Sequence, residues 1–136
     1  MSARTRRPAA ALLPAMALLA VVTLSAPTAR SQEIFAGKYP QQTGEDLFQN
    51  ICQGCHMPDA KGAIGAGAYP ALAGNARLKA AIYPITVVVN GQRAMPPFGE
   101  SLSDEQVAEV INYVRTHFGN HYKDAITPAM VKAQRH

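Results

Sequence analysis

The decisive stretch of the sequence is Cys52-Gln53-Gly54-Cys55-His56, which holds both cysteines of the 136-residue chain. Two thiols three positions apart, followed at once by an imidazole, form the C-x-x-C-H pattern of haem attachment. At a helical turn, both thiols can add to the two vinyl groups on one side of a haem, while His56 reaches the iron. The motif predicts one covalent haem c, held by Cys52 and Cys55, with His56 as an iron ligand.

Other uses of the two cysteines stay open at this point. A redox-active dithiol would need a preceding strand and a βαβ pattern, and neither is visible. A zinc site would need further ligands from scattered histidines, because there is no second cysteine pair. A structural disulfide across so tight a loop would leave His56 without a role.

A ligand on the other side of the iron is predicted at Met95, in the proline-stiffened stretch Ala94-Met95-Pro96-Pro97-Phe98. Met57 directly follows the histidine and cannot swing across the haem, and Met130 comes after the last strong helix. A lone methionine is otherwise interpreted as core filler, and His121 is a weaker second candidate for the iron. A thioether favours ferrous iron and raises its potential. Two strong ligands leave no room for substrate and favour electron transfer over catalysis.

The positive charge of the chain is concentrated in a predicted secretory leader. The chain has 13 Lys and Arg against 9 Asp and Glu, a formal charge of +4. Three arginines in residues 1–7, an apolar run over 8–24 and small residues after it are typical of a signal peptide. Ala29-Arg30-Ser31 predicts cleavage after Ser31, with exits after Ala26 or Ala29 as alternatives. An uncleaved anchor is the other interpretation.

Removal of residues 1–31 leaves a chain with equal numbers of basic and acidic side chains. The nucleic-acid interpretation of the charge thereby loses its main support. The remaining sequence has no comparable apolar run, so we expect no membrane span in the mature chain. The leader predicts export to the periplasm.

Helix signals divide the rest of the chain. A polar lead-in over 32–42 precedes Thr43, which is expected to cap a helix over about 44–55. Glycine, alanine and proline predict a loop over 58–74, and 92–100 is a second loop. Between them, Asn75 is expected to cap a short helix that Pro84 stops, with a further helical piece over 85–90.

The clearest helix begins after Ser103, which forms a capping box with Gln106. Its apolar positions recur with helical spacing at Val107, Val110, Ile111, Val114 and Phe118. Gly119 is expected to serve as its C-cap. Thr127-Pro128 indicates another short helix in the tail over 121–136.

Over residues 43–120 the chain resembles the small class I cytochromes c. Gly44 and Phe48 match the family's first helix, and Val110 and Tyr113 match the facing positions of its last helix. In the family, the glycine lets the two helices cross closely, with Phe48 near Tyr113. The resemblance implies a small all-α class I cytochrome c fold, with crossing N- and C-terminal helices around covalently bound haem.

Tyr69-Pro70-Ala71-Leu72 is similar to the family's proline segment. The resemblance implies that the Pro70 carbonyl accepts the ring N–H of His56, which would fix the tautomer and strengthen the ligand. A plain turn at Pro70 is the alternative. Arg77 and Arg93 are candidates to meet haem propionates or a partner, or are solvated surface side chains.

Residues 70–75, 95–98 and 116–120 are similar to cytochrome c domains that accept electrons from periplasmic dehydrogenases, such as alcohol or aldehyde dehydrogenases. The resemblance implies a non-enzymatic periplasmic carrier with such a dehydrogenase as donor. Another cytochrome or a terminal oxidase of the respiratory chain would be its acceptor. The alternatives are a haem sensor or small catalytic haem protein with an open iron position, or a haem-free structural or redox-thiol domain.

Overall fold

Short helices joined by loops make up most of the computed structural model, which describes residues 39–65 and 67–135. The helices are α1 Gly44–Leu47, a π-helical turn Phe48–Cys52, α2 Gln53–His56, a 3-10 helix Ala76–Lys79, α3 Ile82–Asn90, α4 Asp104–Thr116 and α5 Pro128–Lys132. No helix within those residues combines the length and the apolarity that a bilayer crossing requires. The predicted signal peptide over 1–31 lies outside the described residues, as do residues 32–38 of the lead-in.

Helix α1, the π-helical turn and α2 follow one another without a break, in the place where the sequence predicts one helix. The Thr43 side chain accepts the backbone N–H of Asp46 and caps α1. The π-helical turn was not predicted, and in it the Gln53 N–H bonds the Phe48 carbonyl. Such turns are rare in proteins, and many of those that occur lie at functional sites. Here the turn ends at Cys52, the first residue of the C-x-x-C-H motif.

Helix α4 begins at the predicted capping box. The Ser103 hydroxyl accepts the Gln106 N–H at 3.2 Å, and the Gln106 side chain accepts the Ser103 N–H at 2.9 Å. The predicted apolar face is buried, with Val107, Val110, Ile111 and Val114 each at most 6% exposed. The same side of α4 therefore forms a wall of the core.

The end of α4 differs from the prediction that Gly119 forms its C-cap. Helix α4 ends at Thr116, and Phe118, with a φ of 55°, takes the left-handed position after the capping His117. That backbone conformation is costly for an aromatic residue. The Phe118 ring packs against the Phe48 ring, with centroids 4.7 Å apart. Tertiary packing thus offsets the local strain.

Pro84 does not stop a helix, so that prediction was wrong. The 3-10 helix, capped by the Asn75 side chain, precedes α3, and α3 runs through Pro84. Pro84 is the third residue of α3, where a backbone N–H has no partner within the helix, so proline costs little. Residues 87–89 are helical as predicted, and Gly91 ends α3.

Two strands of two residues each depart from the all-α prediction. Strand β1, Ala63–Ile64, pairs antiparallel with strand β2, Ala68–Tyr69. Both lie in the stretch predicted as a loop, and they are too short to produce an alternating sequence pattern. The fold of the described residues is therefore helix-rich with one small hairpin.

The first helical segment, which comprises α1, the π-helical turn and α2, crosses α4 at Gly44, where the family resemblance implies the crossing. A Cβ at Gly44 would lie 2.7 Å from the Tyr113 Cβ and closer still to the Glu109 carbonyl oxygen. Only glycine permits so close an approach. The rings of Phe48 and Tyr113 lie 5.9 Å apart beside the crossing, so the expected aromatic contact is present.

The C-terminal segment, residues 121–135, packs onto α4. The Asn112 side chain donates to the Ile126 carbonyl and accepts the Ile126 N–H, both at 2.8 Å. Thr127 then caps α5 ahead of Pro128, as predicted, and Val131 is fully buried. This segment is part of the packed structure.

Gly44→Ala is expected to lower the free energy of unfolding of the haem-containing protein by about 1–3 kcal/mol, because the added methyl overpacks the crossing. Guanidinium unfolding measures the change. Gly54→Ala is the matched control, since a Cβ at Gly54 meets nothing within 4 Å. Equal stabilities of the two variants would contradict the role assigned to the crossing.

Candidate haem site

One large cavity lies among α2, α3 and α4. Its volume is about 1300 Å³, and most of its lining is apolar. The residues that the sequence predicts for the site all line it: Cys52, Cys55, His56, Pro70 and Met95. The fold thus brings together residues that are scattered along the chain.

His56 is buried, with 7% of its surface exposed, and its Nδ1 lies 2.9 Å from the Pro70 carbonyl oxygen. Because a carbonyl oxygen can only accept, Nδ1 must carry the proton in this contact. Nε2 then keeps its lone pair, which is the form of imidazole that binds a metal. The contact therefore orients the ring as a ligand.

Gly62 brings the Pro70 carbonyl to His56. The Gly62 N–H donates to the His56 carbonyl at 3.0 Å, and its φ is 69°. A Cβ at Gly62 would meet the Tyr69 carbonyl oxygen and lie 2.8 Å from the Pro70 carbonyl carbon. The sequence analysis missed this residue, because Gly62 is one of several glycines in the predicted loop.

Asn120 joins the proline segment to the end of α4. It is 2% exposed, and its Nδ2 donates to the Leu72 and Val114 carbonyls, each at 2.9 Å. Its Oδ1 accepts the Asn75 N–H at 3.0 Å. The sequence placed Asn120 at the limit of the domain without assigning it this role.

Arg115 is a second positioning residue that the sequence analysis missed. Its side chain is 1% exposed, and its Nε donates to the carbonyl of Leu78, which lines the cavity. Its Nη2 lies 2.7 Å from Asp124 Oδ2, and this hydrogen bond lowers the pKa of Asp124 from its usual value. A cation near the end of a helix looks in sequence like a solvated side chain.

The two cysteines differ in their surroundings. Cys55 is exposed and Cys52 is half-buried, and both line the cavity. Burial, followed by the neighbouring Cys55, raises the pKa of the Cys52 thiol to about 12. Redox-active dithiols depend on a lowered thiol pKa, so the environment of Cys52 does not favour that use.

Met95 is held in a tight turn. Its N–H donates to the Gln92 carbonyl and its carbonyl accepts the Gln92 N–H, both at 3.0 Å. Of the three methionines within the described residues, Met95 alone lines the cavity, and Met130 is 38% exposed at the surface. His121, the weaker candidate, is exposed and does not line the cavity.

The charged residues of the lining are all cations. Lys61, Arg77 and Arg93 line the cavity and are exposed, and none of the described lining residues is a carboxylate. Arg77 and Arg93 thus border the cavity and are also solvated. A role beside haem propionates and a role as solvated surface side chains both stay predictions.

The donor set fits haem c better than a zinc ion. Along residues 39–65 and 67–135, no group of three or more His, Cys, Asp and Glu side chains converges in a way that could hold a metal. The cavity offers one oriented imidazole, one thioether and two thiols, surrounded by apolar side chains. A large planar apolar group with an iron centre matches this combination.

A comparison with known families identifies the family of this chain. The family described as "Cytochrome C oxidase, cbb3-type, subunit III" matches residues 40–114, more than half of the chain. The chain belongs to the class I cytochrome c family. Covalently bound haem c is implied by membership of this family, and the cysteines of this cytochrome have the required spacing. The individual attachment and ligand residues stay predictions.

Several relatives of this cytochrome are subunits of dehydrogenases. It is 34% identical over 92 residues to the fructose dehydrogenase cytochrome subunit of Gluconobacter japonicus, covering 57% of this chain and 19% of the relative. It is 30% identical over 113 residues to the quinone alcohol dehydrogenase cytochrome c subunit of Gluconacetobacter polyoxogenes, covering 74% and 24%. The chain therefore spans about a fifth to a quarter of the length of these subunits.

A smaller relative is matched over nearly its whole length. This cytochrome is 33% identical over 81 residues to cytochrome c6 of Diacronema lutheri, which covers 56% of this chain and 94% of the relative.

Gly62→Ala is expected to destabilise the haem-containing protein by about 1–3 kcal/mol and to raise its reduction potential. The added methyl would displace Pro70, and a less basic His56 would stabilise ferric iron less. Thermal unfolding and a redox titration measure the two effects. Gly65→Ala is the control, because a Cβ at Gly65 meets nothing within 4 Å. An unchanged potential in folded Gly62→Ala would contradict the positioning role.

Proposed function

We propose that this cytochrome is a periplasmic carrier of single electrons, with a periplasmic dehydrogenase as donor. Another cytochrome or a terminal oxidase of the respiratory chain would accept the electrons. The observation that carries the proposal is the cavity in which His56 and Met95 both form part of the lining. Two protein ligands on the iron would leave no site for substrate.

The proposed attachment uses the residues of the first helical segment. Cys52 and Cys55 would form the thioether links of one haem c, and His56 and Met95 would bind its iron. When bound, the haem supplies an iron that alternates between Fe(II) and Fe(III) and so stores one electron. The chain's own residues supply position and environment.

Hydrogen bonds to backbone carbonyls support the two proposed ligands. The Pro70 carbonyl accepts the His56 ring N–H. The Phe98 N–H donates to the Val88 carbonyl at 2.9 Å and anchors the loop that follows Met95 to α3. A ligand set held this firmly would change little in geometry between the two iron states, which favours fast electron transfer.

Exposed residues of the cavity lining support the proposal that the electron leaves near Cys55. Cys55 is exposed there, and Ile64 and Tyr69 of the hairpin also line the cavity, with 94% and 39% of their surfaces exposed. Lys61 also lies beside these apolar groups, where it forms an ion pair with Asp59 at 3.3 Å. A partner with an acidic rim around a small apolar patch would fit this surface, and such electron-transfer contacts are small and transient.

The proposed donor and location depend on two independent features. The names of the relatives include fructose and alcohol dehydrogenase cytochrome subunits. The predicted signal peptide over 1–31 supports export to the periplasm. The nature of the acceptor rests on the resemblance to cytochrome c domains that accept electrons from periplasmic dehydrogenases.

Met95→Ala is expected to lower the reduction potential by at least about 60 mV, the equivalent of a tenfold shift in a one-electron equilibrium. The variant should also bind carbon monoxide in the ferrous state, because an axial position opens. Redox titration and absorption spectra measure both changes. Met130→Ala is the control, as Met130 is at the surface. A native protein that already binds carbon monoxide rapidly would instead favour a haem sensor or small catalytic haem protein.

Reduction of the purified ferric cytochrome by periplasmic extract is expected to require an alcohol, aldehyde or sugar substrate. Absorption of the haem follows the reaction. Lys61→Glu should slow reduction severalfold at low salt, because it reverses a charge at the proposed exit. Lys123→Glu makes the same change in net charge away from the cavity and should react as the native protein does. Substrate-independent reduction would contradict a dehydrogenase donor.

A further inference from the structure

Arg135 of the C-terminal segment forms hydrogen bonds with the chain that follows Met95. Its Nε donates to Asp104 Oδ1 at 2.5 Å and its Nη2 donates to the Leu102 carbonyl at 2.8 Å. Its Nη1 donates to the Gly99 carbonyl. The guanidinium group therefore joins two backbone carbonyls and one carboxylate, which a shorter or non-planar side chain cannot do.

The two carbonyls belong to the turn over residues 98–102, which connects the loop containing Met95 to α4, and Asp104 is the first residue of α4. The turn is bonded to α3 by the Gly99 N–H, which donates to the Val89 carbonyl at 3.1 Å. It is closed on itself by the Leu102 N–H, which donates to the Phe98 carbonyl at 2.9 Å. Phe98 and Leu102 both line the cavity. Arg135 thus holds the outer side of a turn whose inner side forms the site.

Partial burial and the contacts of the preceding helix hold Arg135 in place. Its side chain is 27% exposed and that of Asp104 is 23% exposed, so water screens this pair less than a surface pair. Arg135 follows α5, which is anchored by the buried Val131 and by the paired hydrogen bonds between Asn112 and Ile126. The guanidinium group can therefore act as a fixed clamp on the turn.

Arg135 also lies beyond residues 40–114, which match the family. The clamp is thus built from a part of the chain outside the matched cytochrome c domain. We propose that Arg135 is a positioning residue for Met95, which it keeps at the cavity by fixing the turn over residues 98–102. This inference rests on the proposed function, because it takes Met95 as an iron ligand.

Displacement of Met95 from the iron requires its loop to move away from the cavity. The loop is continuous with the turn, so such movement strains or breaks the hydrogen bonds of Arg135. Hydrogen bonds from a charged donor are among the stronger ones in proteins. With Arg135 in place, the arrangement of the loop in which Met95 has left the iron is therefore less populated. An external ligand binds only in that arrangement, so its apparent affinity is lower.

Imidazole added to the ferric cytochrome probes this opening. Arg135→Gln is expected to raise the apparent affinity for imidazole by about tenfold or more, because it removes charged hydrogen bonds. Arg135→Lys, which keeps the charge without the planar fork, should fall between Arg135→Gln and the native protein. Lys132→Gln removes an exposed charge from the same segment and should leave the affinity unchanged.

Hydrogen exchange supplies a readout that does not depend on the iron ligand. In Arg135→Gln the Gly99 amide should exchange at least about tenfold faster, as expected for a local opening made easier by the loss of charged hydrogen bonds. The Ile126 amide, bonded to Asn112, should exchange as before. Equal acceleration of both amides would indicate general loosening of the C-terminal segment and would overturn the positioning role.

Met95→Ala separates the failure of this inference from the failure of the proposed function. If Met95→Ala binds imidazole more tightly but Arg135→Gln behaves as Lys132→Gln does, the positioning role is wrong and the ligand assignment stands. If Met95→Ala binds imidazole no better than the native protein, Met95 is not the ligand and both proposals fail. Higher affinity in both Met95→Ala and Arg135→Gln, with selective exchange at Gly99, supports the clamp.

Discussion

Gly44 lies against the backbone of Glu109 with no side chain between them, so the first helical segment and α4 cross in close contact. The rest of the structure depends on this crossing. It sets the π-helical turn and the C-x-x-C-H motif on one side of the core, while Val110, Ile111 and Val114 of α4 form the facing wall of the cavity. A wider separation would change both the width of the cavity and the direction of His56.

Polar contacts then orient the groups at the cavity. The Pro70 carbonyl sets the ring of His56, Gly62 allows that carbonyl to approach, and Asn120 joins the proline segment to α4. On the opposite side, Arg135 joins the turn after Met95 to the C-terminal segment. These contacts use backbone carbonyls as acceptors, so they constrain the path of the chain as well as the side chains. An electron carrier benefits from such constraint, because a rigid ligand set reorganises little.

The relatives combine a shared domain with different lengths. Nearly all of a cytochrome c6 is matched, whereas only about a fifth to a quarter of the dehydrogenase cytochrome subunits is matched. In this chain the C-terminal segment packs on α4 through Asn112, Arg115 and Val131. It therefore stabilises the same elements that form the cavity.

The sequence alone determined the motif and the capped start of α4, because each depends on local spacing. The family and the helix crossing at Gly44 followed from the resemblance to the class I cytochromes c. The sequence also predicted that Cys52, His56 and Met95 belong to one site. It missed the π-helical turn, the passage of α3 through Pro84, and the use of Phe118 at the end of α4. Tertiary structure decided these, and the roles of Gly62, Arg115, Asn120 and Arg135, because their partners are distant carbonyls and rings. Such contacts leave no periodic signal in the sequence, since they exist only once the chain has folded.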